Sequence, residues 1–197
     1  MATVKGLHPA FQHHSYLFRR KVLRVFGGAF HVYDESGRLL LFSEQKSFKL
    51  KEDFRIYGDE NKTEELLNIK TPQILDFGAT YNVQDSTTGE PVGAIRRKFL
   101  KSLLKDEWDF LSTTGQEIGK VAESSWLRAF LARSINLIPQ QYTIVAADGN
   151  TVAQIRQHFN PFVLKYSMSI LDPNPSIDRR LLIASGVLLA GIERRQK

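Results

Sequence analysis

The 197-residue chain has no cysteine, which removes disulfides, cysteine-ligated zinc or iron–sulfur centres and any cysteine nucleophile. It also lacks a membrane-length apolar run. Its most apolar stretch, Leu181 to Ile192, is interrupted only by Ser185 and is bounded by Arg180 and Glu193. As a helix these residues span roughly 18 Å against a hydrocarbon core of about 30 Å. Met1 to Gln12 has no apolar run, so no secretory signal is read there and a cytoplasmic location is expected, with peripheral attachment to a membrane surface. No G-x-S-x-G, H-E-x-x-H or phosphate-spaced glycine loop occurs, and His8, His13, His14, His31 and His158 are scattered. An enzyme is therefore not expected, and neither is a cofactor. The neighbours His13 and His14 would point to opposite faces of a strand, so no metal is assigned to them.

What the sequence does hold is basic charge. Lys and Arg number 27 against 21 Asp and Glu, a net +6, and the pI is near 9.5. That balance favours an anionic partner, a phospholipid surface or nucleic acid. There is no Arg/Lys-rich helix and no basic strand with exposed paired aromatics, so nucleic acid is not expected.

A helix apolar on every face has to be buried. The terminal segment therefore predicts a core helix over 178–195, with Asp178 as N-cap and Arg194, Arg195 and Lys197 complementing the negative end of its dipole. Ala184, Ser185, Gly186, Ala190 and Gly191 allow close approach of whatever surrounds it. Residues 15–170 read as short strands separated by polar turns, among them Asp34-Glu35-Ser36-Gly37, Gly58-Asp59-Glu60-Asn61, Asp85 to Glu90 and Asp148-Gly149-Asn150. One further helix is expected over Ser124 to Ile135, and a helical turn over Phe99 to Lys105. The fold class is mainly β (α+β), about twelve antiparallel strands closed into a barrel around the hydrophobic C-terminal helix. Residues 1–14 read as an N-terminal arm and 15–197 as a single domain.

Three stretches carry a resemblance: YNVQDSTTGEPVGAIRRK from Tyr81 to Lys98, FLKSLLKDEWDF from Phe99 to Phe110, and FHVYDESGRLLLFSEQK from Phe30 to Lys46. They resemble the Tubby C-terminal-like superfamily, in particular its phospholipid-scramblase-like and LURP-one-related members. The resemblance implies a twelve-stranded barrel enclosing a hydrophobic C-terminal helix. Within the superfamily it implies binding of membrane phosphoinositides, or calcium-dependent movement of lipid between leaflets. The cysteine-rich palmitoylated stretch and proline-rich N-terminal region of scramblases are not in this sequence. Where scramblases place a calcium segment, this chain has Asp172, Asn174, Ser176 and Asp178, with Ile177 in place of glycine at the sixth position and Ile183 in place of glutamate at the twelfth. Asp172, Asn174 and Asp178 are the weak calcium candidates, and capping by Asp178 is the preferred reading.

Two basic clusters are candidates for an anionic headgroup: Arg19, Arg20, Lys21 and Arg24, and then Arg96, Arg97, Lys98, Lys101 and Lys105. On a strand, Arg96 and Lys98 share one face and Arg97 takes the other. The alternative is that these are outer wall residues paired with Asp106, Glu107 and Asp109. The function expected is a non-enzymatic domain that associates with anionic phospholipid headgroups of the phosphoinositide type. A structural or protein-interaction barrel is the alternative, and calcium-dependent scrambling comes third.

Overall fold

The computed structural model describes residues 6–21, 28–45, 53–71, 74–75, 78–99, 106–123, 141–158, 160 and 163–192. The strands alternate as half-buried strands must, with apolar residues facing inward, and Asp53–Tyr57 with Phe54 and Ile56 buried is the simplest case. In chain order they are β1 (Ser15–Lys21), β2 (Gly28–Tyr33), β3 (Leu39–Gln45), β4 (Asp53–Tyr57) and β5 (Glu65–Lys70). Next come β6 (Ile74–Leu75), β7 (Gly78–Asp85), β8 (Pro91–Phe99) and β9 (Asp106–Leu111). The series ends with β10 (Glu117–Glu123), β11 (Gln141–Ala146), β12 (Thr151–His158) and β13 (Val163–Ile170), followed by the helix α1 (Arg179–Ile192).

Each wall strand is antiparallel to its neighbours. β5 pairs directly with β7, and β1 pairs with β13, so twelve strands form a closed up-and-down barrel. The two-residue β6 pairs alongside β7, in addition to the twelve. Closure removes every sheet edge from the wall.

The helix α1 fills the barrel, with Leu181 to Ala184 and Val187 to Ala190 at 0–1% exposure. Each fully buried leucine contributes about 1.5–3 kcal/mol. Close approach is met by glycine: a Cβ at Gly186 would lie 2.5 Å from the Phe18 ring. At Gly93, whose φ is +143°, the Leu111 carbonyl and the Leu181 side chain occupy the place of a Cβ.

Asp178 caps α1 as expected, its Oδ1 accepting from the Arg180 amide at 2.8 Å. Residues 193–197, and with them Arg194, Arg195 and Lys197, lie outside the described residues. So do the helix expected over Ser124 to Ile135 and the helical turn after Phe99.

The segment expected as an arm over residues 1–14 packs against the barrel from Leu7 onward. A 3-10 turn, Pro9–Phe11, places Ala10 and Phe11 in the core. The buried Arg179 guanidinium ties this segment to α1, donating to the carbonyls of Phe11 at 3.0 Å, His13 at 2.8 Å and Pro173 at 3.3 Å. Burial pushes the neighbouring Tyr16 hydroxyl well above its ordinary pKa, against the opposing charge of Arg179.

An up-and-down chain sends alternate connections to opposite ends of the barrel. The end where α1 begins carries the tight turns, and their residues include Asp34, Glu35, Asp59, Glu60, Glu64, Glu90 and Asp148. At the end where α1 finishes, the connections 22–27, 46–52, 100–105 and 124–140 lie outside the described residues.

Candidate anion-binding face

The basic run of β8 is divided by the strand's own alternation. Arg96 and Lys98 face outward, and β9 places Asp109 opposite Arg96 and Glu107 opposite Lys98. Asp109 Oδ2 takes Arg96 Nη2 at 2.7 Å and Lys98 Nζ at 2.7 Å, and its side chain is only 3% exposed beneath them. Glu117 adds a second carboxylate 3.8 Å from Arg96. Arg97 points inward, buried, with its guanidinium carbon 5.4 Å from the Trp108 ring centre, and Trp108 stacks on Tyr81. A cation over an indole face is a stabilising arrangement within a barrel wall. Two of the three cations are thus matched by carboxylate and the third is enclosed. Lys101, Lys105 and Arg24 lie outside the described residues.

The β1 run divides in the same way. Arg20 is inward, its guanidinium carbon 5.0 Å from the Phe30 ring centre and its Nη1 3.4 Å from the carbonyl oxygen of Gly191. It therefore supplies the positive charge that the C-terminal end of α1 favours. Arg19 is exposed on the outer wall and leans over the Tyr33 ring at 5.7 Å. Lys21 is the last residue of β1 and pairs with Val163.

The two clusters differ in what lies beside them. β8 faces an acidic strand. β1 pairs with β13, which pairs with β12, which pairs with β11, and these four strands contain no Asp or Glu. Arg19 stands opposite Lys165, and Lys165 opposite His158; Ser167, the next outward residue of β13, stands opposite Arg156. His158 Nε2 and Ser167 Oγ are 2.9 Å apart. Burial of the ring, then the charges of Lys165 and Arg156, hold His158 below its ordinary pKa. On the β2 side the carboxylate-free region ends at His31, whose Nε2 is 2.8 Å from Glu60 Oε1.

Arg156, His158 and Lys165 were not among the residues singled out from the sequence. Arg156 and His158 alternate with glutamines on β12, Lys165 is the one charged residue of β13, and strand pairing brings them together. The signal available was negative, since Asp148 is the one carboxylate between Gln141 and Ile170.

A family model for LURP-one-related proteins matches residues 39–190, from the start of β3 to within two residues of the end of α1. The chain belongs to that family. The LURP-one-related family is part of the Tubby-like superfamily, which agrees with the barrel and its enclosed helix. Comparison with curated proteins returns no match.

In this LURP-one-related domain the segment before α1 is occupied by its own hydrogen bonds. Asp172 Oδ1 accepts from the Asn174 amide at 2.8 Å. Both oxygens of Asp178 receive Arg180, Nε at 3.0 Å and Nη2 at 2.6 Å, and Arg180 Nη1 reaches Asp85 at 2.6 Å. Burial alone pushes the Asp85 carboxyl up, but hydrogen bonds from Thr87, Arg180 and Thr88 outweigh it and hold it below the ordinary range. Among the described residues no group of three or more His, Asp or Glu is arranged to hold a metal ion.

Proposed function

We propose that this LURP-one-related domain is a non-enzymatic barrel that associates with anionic phospholipid surfaces through the outer wall of β11, β12, β13 and β1. The observation that carries the reading is the absence of any carboxylate from those four strands, where Arg19, Arg156 and Lys165 face outward. A cation near an anionic leaflet contributes about 1 kcal/mol. Three give about 3 kcal/mol, a dissociation constant of several mM, screened over roughly 8 Å at physiological salt.

The charge along the barrel axis supports an orientation. The end where α1 begins carries the acidic tight turns and faces away from the membrane. The reading keeps α1 inside the barrel. No helix among the described residues is long and apolar enough to cross a membrane, and withdrawing α1 would expose the barrel lining at about 25 cal/mol per Å².

The test is cosedimentation of the full chain with vesicles of neutral phosphatidylcholine and with vesicles containing phosphatidylserine, at low and moderate salt. Pelleting with the anionic vesicles that declines with salt is expected. Equal recovery in the supernatant with both compositions would reject the reading and favour a barrel that serves protein partners.

A further inference from the structure

The histidines of this chain meet different neighbours. His31 Nε2 lies 2.8 Å from Glu60 and His8 Nε2 3.5 Å from Glu64, so a proton gained by either ring is matched by a carboxylate already in place. His13 and His14 precede β1, and the His13 carbonyl is held by Arg179 at the end where α1 begins. Among the described residues His158 has no acidic partner. It stands on the outer wall of β12 opposite Lys165 of β13, with Arg156 two residues back on the same face and Arg19 of β1 opposite Lys165 in turn. A proton gained by His158 is therefore added to the positive charge of the wall. We infer that attachment of the carboxylate-free wall to an anionic membrane is governed by protonation of His158, weaker near about pH 7.5 and stronger near about pH 5.5. This rests on the proposed membrane association and gives that association its regulation.

The wall takes the proton without rearrangement. His158 Nε2 and Ser167 Oγ are 2.9 Å apart. With the ring neutral and Nε2 unprotonated, the hydroxyl donates to the nitrogen; with the ring protonated, Nε2 donates to the hydroxyl oxygen. A serine hydroxyl serves in either role, so the contact persists in both states. The charged groups facing the ring are Lys165 opposite it and Arg156 on its own strand, both positive. Beside Arg156, β11 presents Gln141, and the connection from Phe159 to Phe162 holds no titratable residue. In the free protein, burial of the ring and these two cations oppose protonation. An anionic leaflet reverses that balance, because its charge offsets Lys165 and Arg156 and favours the imidazolium. The affinity gain begins as pH falls through the pKa of the attached state and levels off below that of the free protein. One further cation beside an anionic leaflet strengthens attachment about fivefold.

The test is cosedimentation of the full chain at about pH 7.5 and about pH 5.5, at one salt concentration, with vesicles containing phosphatidylserine, whose headgroup charge is constant over that range. Neutral phosphatidylcholine vesicles at both pH values control for acid-induced aggregation, and circular dichroism confirms that each variant is folded. Wild-type affinity for the anionic vesicles should rise about fivefold on acidification. His158→Gln should keep its affinity at about pH 7.5 and lose the rise. His158→Arg, charged throughout, should bind at about pH 7.5 as the wild type binds at about pH 5.5. His31→Gln should retain the wild-type rise, which separates a proton on the wall from a general gain of charge. An affinity independent of pH in the wild type, or a rise that survives His158→Gln, would overturn the inference and leave the membrane reading in place. No pelleting with phosphatidylserine vesicles at either pH would reject the membrane reading and the inference with it.

Discussion

Lys98 Nζ and Arg96 Nη2 both lie 2.7 Å from Asp109 Oδ2, so one nearly buried carboxylate holds two cations against the β9 wall. Asp109→Asn should destabilise the barrel by about 1.5–3 kcal/mol, the worth of hydrogen bonds to a charged group. Urea unfolding measures this. The same substitution should change pelleting with phosphatidylserine vesicles little, because β8 and β9 lie outside the face formed by β11, β12, β13 and β1. A large rise in pelleting would mean that the Arg96 and Lys98 side of the barrel also approaches the membrane.

Gly186 is matched to Phe18. Gly186→Ala places a methyl 2.5 Å from the ring and should cost about 1–3 kcal/mol by overpacking. Phe18→Leu combined with Gly186→Ala should recover part of the loss, with the coupling read from a double-mutant cycle. Simple additivity would place the strain elsewhere in α1.

Asp178→Ala should cost about 1–2 kcal/mol through loss of the helix cap. With both Asp178 oxygens taken by Arg180, added calcium should leave the thermal midpoint of the wild-type chain unchanged. A midpoint that rises with calcium in wild type and not in Asp178→Ala would establish a cation site in the segment before α1.

His158 gives the protein an acid sensitivity with a definite sign. Its folded pKa lies below the ordinary value of 6.5, so the unfolded chain binds more protons as pH falls. The stability linked to this histidine is present above that value and is lost as pH falls from it toward the folded pKa. Lys165→Gln should reduce the loss and His158→Gln should eliminate it, measured as urea midpoints across that range.

The architecture was legible because its signals are local. Alternation from Asp53 to Tyr57, turns such as Asp34 to Gly37, and the charge-free run from Leu181 to Ile192 each specify an element without reference to the rest of the chain. Two features needed the fold. Phe11 gave no periodic signal, and its place in the core depends on Arg179, far along the chain, meeting the Phe11 and His13 carbonyls. The charge balance of a wall depends on strand pairing, which the sequence does not display. Alternation separates Arg97 from Arg96 and Lys98 in advance, but only the register shows Asp109 beneath the outer pair and no carboxylate beside Arg19. Consecutive cations drew attention to β8, while among the described residues Arg19, Arg156 and Lys165, which have no carboxylate partner, are dispersed over β1, β12 and β13.

The most direct measurement compares two double variants of equal charge loss, Arg156→Gln with Lys165→Gln and Arg96→Gln with Lys98→Gln, in cosedimentation with phosphatidylserine vesicles at one salt concentration. Circular dichroism on each confirms that the barrel is folded. The account predicts that the first pair reduces the pelleted fraction severalfold and the second changes it little, since its charges are already matched by Asp109. Equal losses in both variants would reduce membrane binding to net charge and contradict the assignment of the carboxylate-free wall.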